Sequence, residues 1–207
     1  FYLTKLKKFQ KEILNLLGIK KIRILDSNLY RHVQAKKIIA VTHPWYEKGF
    51  ILEEVNKMPK WIVLWLRKIF LSKALKFKSN KKIFIDRSES KFNHCKIIND
   101  DEVSSYLNSK GFSKYKVGQL SFRKQIHLFK NAKTIIGPHG AAFANLIFCK
   151  AKTKVIEIKP KKHKNFINKK ISEYLNLDYT LIETPIKKKV DPKGDILINM
   201  KNLKKII

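Results

Sequence analysis

The stretch Thr134-Ile135-Ile136-Gly137-Pro138-His139-Gly140-Ala141-Ala142 decides how the rest of the chain is read. Three apolar or branched residues form a short buried strand, a turn with two glycines follows, and small residues open a helix over Ala141–Phe148. Gly137 and Gly140 let the backbone turn sharply and approach a ligand closely. Amides at the start of the helix, reinforced by its dipole, favour a phosphate, and Ala141 and Ala142 leave room for it. His139 sits where it can hydrogen-bond a phosphate or a sugar. A lone Gly-x-His-Gly usually means a tight turn around a buried histidine. Between a strand and a helix, it reads as an anion cradle. No Gly-Lys-Ser/Thr follows, so it is not a Walker loop.

Working outward, strands and helices alternate. Ile83–Asp86 reads as a strand, then a helix begins at Asn99, with Glu102 as its capping-box partner and Gly111 as its stop. A weak strand at Tyr115–Val117 precedes a helix capped by Ser121 and running through Ala132. Val155–Ile158 is a buried strand, followed by a helix near Phe166–Leu175 and a strand at Tyr179–Ile182. Alternation of this kind implies a parallel sheet with helices on both faces. Lys187–Asp195 reads as a loop and Met200–Ile207 as a short terminal helix. Upstream, helical spacing covers Phe1–Leu17, with strand candidates at Ile22–Leu25 and Lys37–Val41. A helix from Pro59 to Leu75 carries Trp61, Trp65 and several branched residues. Its lysines raise a membrane-surface role, although apolar residues on nearly every side favour packing between domains. The polar stretch Lys76–Lys82 is the expected boundary. The division is therefore 1–78, an incomplete N-terminal domain with a linker helix; 79–183, a Rossmann-like domain; and 184–207, a tail with a short helix. The start at Phe1 is read as that of a fragment.

In an open parallel sheet, ligands bind beyond the carboxyl ends of the strands, and two further loops lie there. Asp86-Arg87-Ser88-Glu89 follows the first strand of the domain. Arg87 is one of five arginines among 46 basic residues, and its planar fork grips two phosphate oxygens as no lysine can. A surface ion pair with Asp86 or Glu89 explains it equally well. Glu157 interrupts the apolar strand at 155–158, where a carboxylate can accept both hydroxyls of a ribose or simply be solvated.

The formal net charge is +30 over 207 residues. Such a charge attracts polyanions. Here the lysines are spread along the whole chain, and isoleucine and asparagine are abundant, so compositional drift is the preferred explanation. No apolar run reaches the ~20 residues of a membrane span. Cys95 and Cys149 form no Cys-x-x-Cys pair and no regular framework, which suits a reducing compartment, and although Cys95 adjoins His94, no second ligand pair lies at zinc spacing.

Taken together, Ile85-Asp86-Arg87-Ser88, Lys96-Ile97-Ile98-Asn99-Asp100-Asp101-Glu102-Val103, Gly111-Phe112 and Leu120-Ser121-Phe122 resemble glycosyltransferase family 61. So do Gln125-Ile126, Leu128-Phe129, Ala132, Ile135 through Ala142, Asn145-Leu146-Ile147-Phe148 and Val155-Ile156-Glu157. The resemblance covers roughly residues 83–158 in family order, and extends weakly to Leu17-Gly18-Ile19 and Pro59-Lys60-Trp61. It implies a GT-B fold, a nucleotide-sugar donor (a uridine diphosphate sugar being the expectation), a saccharide or glycan acceptor, and inversion at the anomeric carbon. It also implies no metal and a role in surface polysaccharide biosynthesis; no other cofactor is expected, and the expected place is the cytoplasm, with peripheral contact to an anionic membrane surface. Family members commonly carry arginine near Cys95–Lys96. Lys96 supplies charge there without the fork.

The expected donor site is therefore Arg87, Lys96, Gly137, His139, Gly140, Ala141, Ala142 and Glu157, with His139, Asp86 and Glu89 as candidate general bases. No Asp-x-Asp triplet occurs, which argues against the metal-dependent transferase architecture. Two rivals remain. A nucleic-acid-binding domain predicts arginines interleaved with aromatics, and that pattern is absent, so no specific nucleic-acid partner is expected. An inactive relative serving as an assembly or anionic-surface partner predicts no affinity for nucleoside diphosphates.

Overall fold

A computed structural model describes residues 1–46, 48–49, 54–88, 95–161, 163–185 and 194–207. The chain forms two compact units, Phe1–Glu47 and Lys48–Ile207. In the first, β1 (Tyr2–Leu3) pairs in parallel with β2 (Leu25–Asp26), and α1 (Lys8–Leu16) lies between them in sequence. Gly18, at φ +75°, takes the left-handed conformation that ends the helix. The strand expected at Lys37–Val41 does not form, and Val41 is 90% exposed. Apolar alternation makes a strand only where a neighbouring strand accepts its hydrogen bonds.

The second unit holds α2 (Lys60–Phe70), β3 (Lys82–Ile85), α3 (Asp100–Ser109), β4 (Ser113–Tyr115) and α4 (Phe122–Asn131). It continues with β5 (Thr134–Pro138), a 3₁₀ segment (Ala141–Phe148), β6 (Lys154–Pro160), α5 (Ile167–Tyr174), β7 (Asp178–Thr184) and α6 (Met200–Ile206). The expected boundary at 76–82 thus lies inside this unit, and α2 packs on the 3₁₀ segment and on α5.

Five strands form one parallel sheet in the order β4-β3-β5-β6-β7. The chain moves from β3 outward to β4, then returns to the far side of β3 for β5. The strand order therefore reverses between β3 and β5, which makes that gap the topological switch point. The pleat sends Phe84, Ile136, Ile156 and Ile158 into a core with Val103 and Leu107 of α3 and Leu203 of α6. Alternate residues Ile83, Ile85, Ile135 and Val155 are equally buried on the other face. Burial on both faces is why these strands read as continuous apolar runs.

Two local expectations change. Ser121 caps α4 as expected, accepting from the Lys124 amide at 3.4 Å. Asn99 makes no cap hydrogen bond. Its amide instead clasps the backbone of Ile198 in both directions, at 3.0 Å each way, which ties the start of α3 to the C-terminal segment. Ile196 bridges to Ile97, and Ile196, Ile198 and Leu203 are buried, so 194–207 is part of the sheet's covering layer and not a tail. Most of the loop expected at 187–195 lies outside the described residues.

Candidate functional site

The loops after β3 and β5 flank the switch point, and there the chain encloses a cleft of about 900 Å³. Asp86, Arg87, Lys116, Gln119, His139, Gly140, Ala141 and Ala142 line it at the carboxyl edge of the sheet. Val63 and Leu66 of α2 and Asn168 and Ile171 of α5 form further walls. The floor is polar and the walls apolar, the composition that small-molecule sites share.

The two glycines of the Gly137–Gly140 stretch serve space, not backbone curvature. β5 runs straight through Gly137 and Pro138, so the turn begins later than the sequence suggests. A Cβ on Gly137 would lie 2.7 Å from the Ile85 Cβ, so its absence lets β3 and β5 close up. A Cβ on Gly140 would lie 1.3 Å from Nη1 of Arg87 and 2.5 Å from its Cζ. The Arg87 guanidinium therefore occupies the volume that a side chain at 140 would fill. Two loops 53 residues apart in sequence are joined at that point. Burial draws the Arg87 pKa downward, with Cys95 acting in the opposite sense.

Residues 141–148 form a 3₁₀ helix where an α-helix was expected. The Phe143 amide already donates to the Gly140 carbonyl at 3.0 Å. An anion can meet only the amides ahead of it, with a weaker aligned dipole than an α-helix supplies. Packing sets this geometry: Phe143, Leu146 and Phe148 are all buried. Asn145 donates to Ala142 at 3.1 Å and to Gln125 of α4 at 3.0 Å. Arg67 of α2 donates to the Ile147 and Cys149 carbonyls at the end of the segment, a cation where the dipole favours one.

His139 is 6% exposed and lines the cleft. Its backbone amide donates to the Ile158 carbonyl at 2.7 Å, and its ring lies 4.1 Å, centroid to centroid, from that of His163. Nδ1 meets Oε1 of Glu157. Asn168 donates to the same oxygen at 2.7 Å, and the Tyr179 hydroxyl donates to Oε2. Glu157 is 1% exposed and does not line the cleft, so the residue expected at a ribose lies beneath His139, with both oxygens engaged. Burial alone would raise its carboxyl. Hydrogen bonding and attraction from His139, then the bonds from Tyr179 and Asn168, hold it below its ordinary value. Burial and the neighbouring carboxylate push the Tyr179 phenol up, so it stays a donor.

The remaining expected residues divide. Asp86 lines the cleft, and its Oδ1 accepts from the Ser88 amide at 2.8 Å, shaping the turn that carries Arg87. Lys96 does not line the cleft. Its amide donates to the Asp195 carboxylate at 2.9 Å and its carbonyl accepts from the Ile196 amide at 2.7 Å. Glu89 lies outside the described residues. The sequence reading passed over Lys116, Gln119, Asn168, Tyr179 and His163. Lys116 and Gln119 follow the short β4, whose end was placed two residues late. Lys159 was also missed: it is fully buried, donating to the Asn165 carbonyl at 3.0 Å and sitting over the Phe166 ring. It fixes a loop that borders the cleft. Among the described residues, no three of His, Cys, Asp and Glu gather closely enough to hold a metal ion. No helix among them is long and apolar enough to cross a membrane.

A five-stranded parallel sheet with a polar-floored cleft at its switch point is a Rossmann-like arrangement. The family model described as Glycosyltransferase 61 matches residues 2–156, well over half of the 207-residue chain, and the chain belongs to that family of glycosyltransferases. A search of curated proteins finds no match. The family match ends one residue short of Glu157.

Proposed function

We propose that the switch-point cleft binds the diphosphate of a nucleotide sugar, a uridine diphosphate sugar by family expectation. The enzyme then transfers the sugar with inversion to a saccharide or glycan hydroxyl, without a metal, as the donor-binding half of a GT-B architecture. The observation that carries this reading is the seat of Arg87 on Gly140. A guanidinium fork and the opening amides of a small-residue segment converge on one cleft, and together they complement a group with several anionic oxygens.

Displacement at the anomeric carbon puts charge on the departing diphosphate. Donors already held at that position stabilise it without reorganising, which is the largest single contribution in many enzymes. Arg87 supplies a full charge and the amides at 140–142 supply partial ones. Lys116, on the cleft wall, adds a further cation. Surface polysaccharide synthesis, with the enzyme in the cytoplasm at the inner face of an anionic membrane, is the setting that fits such a transferase.

A thermal-shift panel of nucleoside diphosphates and their sugar conjugates on the full-length protein tests the reading. Stabilisation by one nucleotide series, lost in Arg87→Ala, supports it. No shift with any member would leave an inactive relative as the better account. A shift only with duplex nucleic acid, steeply weakened by salt, would favour a polyanion-binding role.

A further inference from the structure

We propose that Glu157 is a positioning residue: it holds His139 as the Nδ1–H tautomer, so that Nε2 takes the proton of the hydroxyl that attacks the donor sugar. This rests on the transfer reading above and replaces the ribose contact expected of Glu157.

Sheet register sets up the pair. Gly137 of β5 stands opposite Glu157 of β6, and His139 lies two residues beyond Gly137, on the same side of the pleat. Gly137 itself presents no side chain, so the carboxylate can reach the ring beyond it. Asn168 donates to Oε1 and Tyr179 to Oε2, and Nδ1 of His139 meets Oε1. An ionised carboxylate can only accept, and two donors aimed at it select that state. A neutral His139 ring beside it therefore carries its proton on Nδ1, which leaves the lone pair on Nε2. The histidine is held by its backbone amide on Ile158, and its ring lies 4.1 Å from that of His163 at an interplanar angle of 50°. Ribose hydroxyls in the cleft do not meet Glu157, which is 1% exposed and does not line it.

A lone pair on a cleft-lining ring calls for a partner that brings a hydrogen. A diphosphate oxygen brings none, whereas a sugar hydroxyl does. In the step that follows, the acceptor O–H bond breaks and its proton goes to Nε2. The acceptor oxygen's electron pair forms the bond to the anomeric carbon. The bond from that carbon to the diphosphate oxygen breaks, and its pair leaves on the diphosphate at Arg87. The imidazolium so formed faces the Glu157 carboxylate, which compensates its charge inside a buried site.

Glu157→Gln keeps the shape and removes the charge that compensates the imidazolium; its carbonyl stays toward the Asn168 donor and Nδ1, and its amide toward the Tyr179 hydroxyl, which can also accept. With the full-length enzyme and uridine diphosphate xylose, arabinose or N-acetylglucosamine as donor, release of uridine diphosphate is measured. The expected result is a kcat about 10²- to 10⁴-fold lower at unchanged donor KM and unchanged uridine diphosphate affinity. His139→Ala should lose as much, and the double variant no more than His139→Ala alone. Imidazole ¹⁵N shifts of the unliganded wild type, assigned with His139→Ala, should report protonated Nδ1 and bare Nε2. In Glu157→Leu, which gives Nδ1 no acceptor, that preference should be lost. A raised KM or weakened nucleotide binding at unchanged kcat would restore the ribose role and overturn the proposal. A bare Nδ1 in the wild type would overturn it without reference to activity. Should the wild type bind no nucleoside diphosphate, the transfer reading and the base role fall together, while the ¹⁵N signals still decide whether Glu157 sets the tautomer.

Discussion

Gly140→Ala separates the fold from the site. The added Cβ would lie 1.3 Å from Nη1 of Arg87. Ordinary contact needs about 3.5 Å, so the guanidinium must move by about 2 Å. Backbone strain is not at issue, because Gly140 at φ 165° is extended and any residue adopts that conformation. The atom displaced is the end of a flexible side chain, so the fold should hardly respond, with Tm falling by less than about 4 °C. Ligand binding should respond strongly. Hydrogen bonds to a charged group contribute about 1.5–3 kcal/mol, which corresponds to roughly a 10- to 150-fold loss of affinity. Isothermal titration of the best-bound nucleoside diphosphate into wild type and variant, with Tm as the control, measures both effects. Unchanged affinity in a variant of unchanged Tm would refute the role of the Arg87 seat.

Gly137→Ala should behave the opposite way. Its Cβ meets the Ile85 Cβ at 2.7 Å and carbonyl oxygen at 3.3 Å, both held by the strand ladder, and the expected cost is about 1–3 kcal/mol of stability by denaturant titration. Arg87→Lys keeps the charge without the fork, and should recover little of the nucleotide affinity lost in Arg87→Ala. Arg67→Met removes the donor from the Ile147 and Cys149 carbonyls and should destabilise by about 1–3 kcal/mol in the same titration. Acid should weaken the fold through Glu157, whose carboxyl is held below its ordinary 4.5. A carboxyl lowered on folding stabilises above its unfolded value, and that contribution is lost as pH falls through the folded one. The Tm advantage of wild type over Glu157→Gln should therefore be full near neutral pH and shrink progressively below about pH 4.5; a constant difference would contradict it.

The strands of the second unit are legible because burial on both faces writes them as apolar runs at 83–85, 135–136 and 155–158, the last interrupted only by Glu157. The Ser121 cap is legible because it acts locally. The pairing of Arg87 with Gly140 is not visible in either loop alone. It follows from a strand order that places β3 and β5 side by side, which alternation of elements does not specify. Glu157 shows the same limit more sharply. A carboxylate in an apolar strand announces a partner, but the partners stand 11, 18 and 22 residues away at Asn168, His139 and Tyr179. Alternation could have placed it on the inner side of the sheet with Val155, and that signal was open to use. Ile38, Ile39 and Val41 show the converse, since a strand-like pattern without a partner strand stays exposed and irregular.

The claim on which the account turns is that Arg87 and the Gly140–Ala142 backbone form a seat for a diphosphate. A crystal structure with the nucleoside diphosphate that most raises Tm tests it most directly. The account predicts both phosphates in the switch-point cleft, with oxygens within about 3 Å of the Arg87 guanidinium and of at least one of those amides. A diphosphate bound elsewhere, with that seat occupied by water alone, would contradict it.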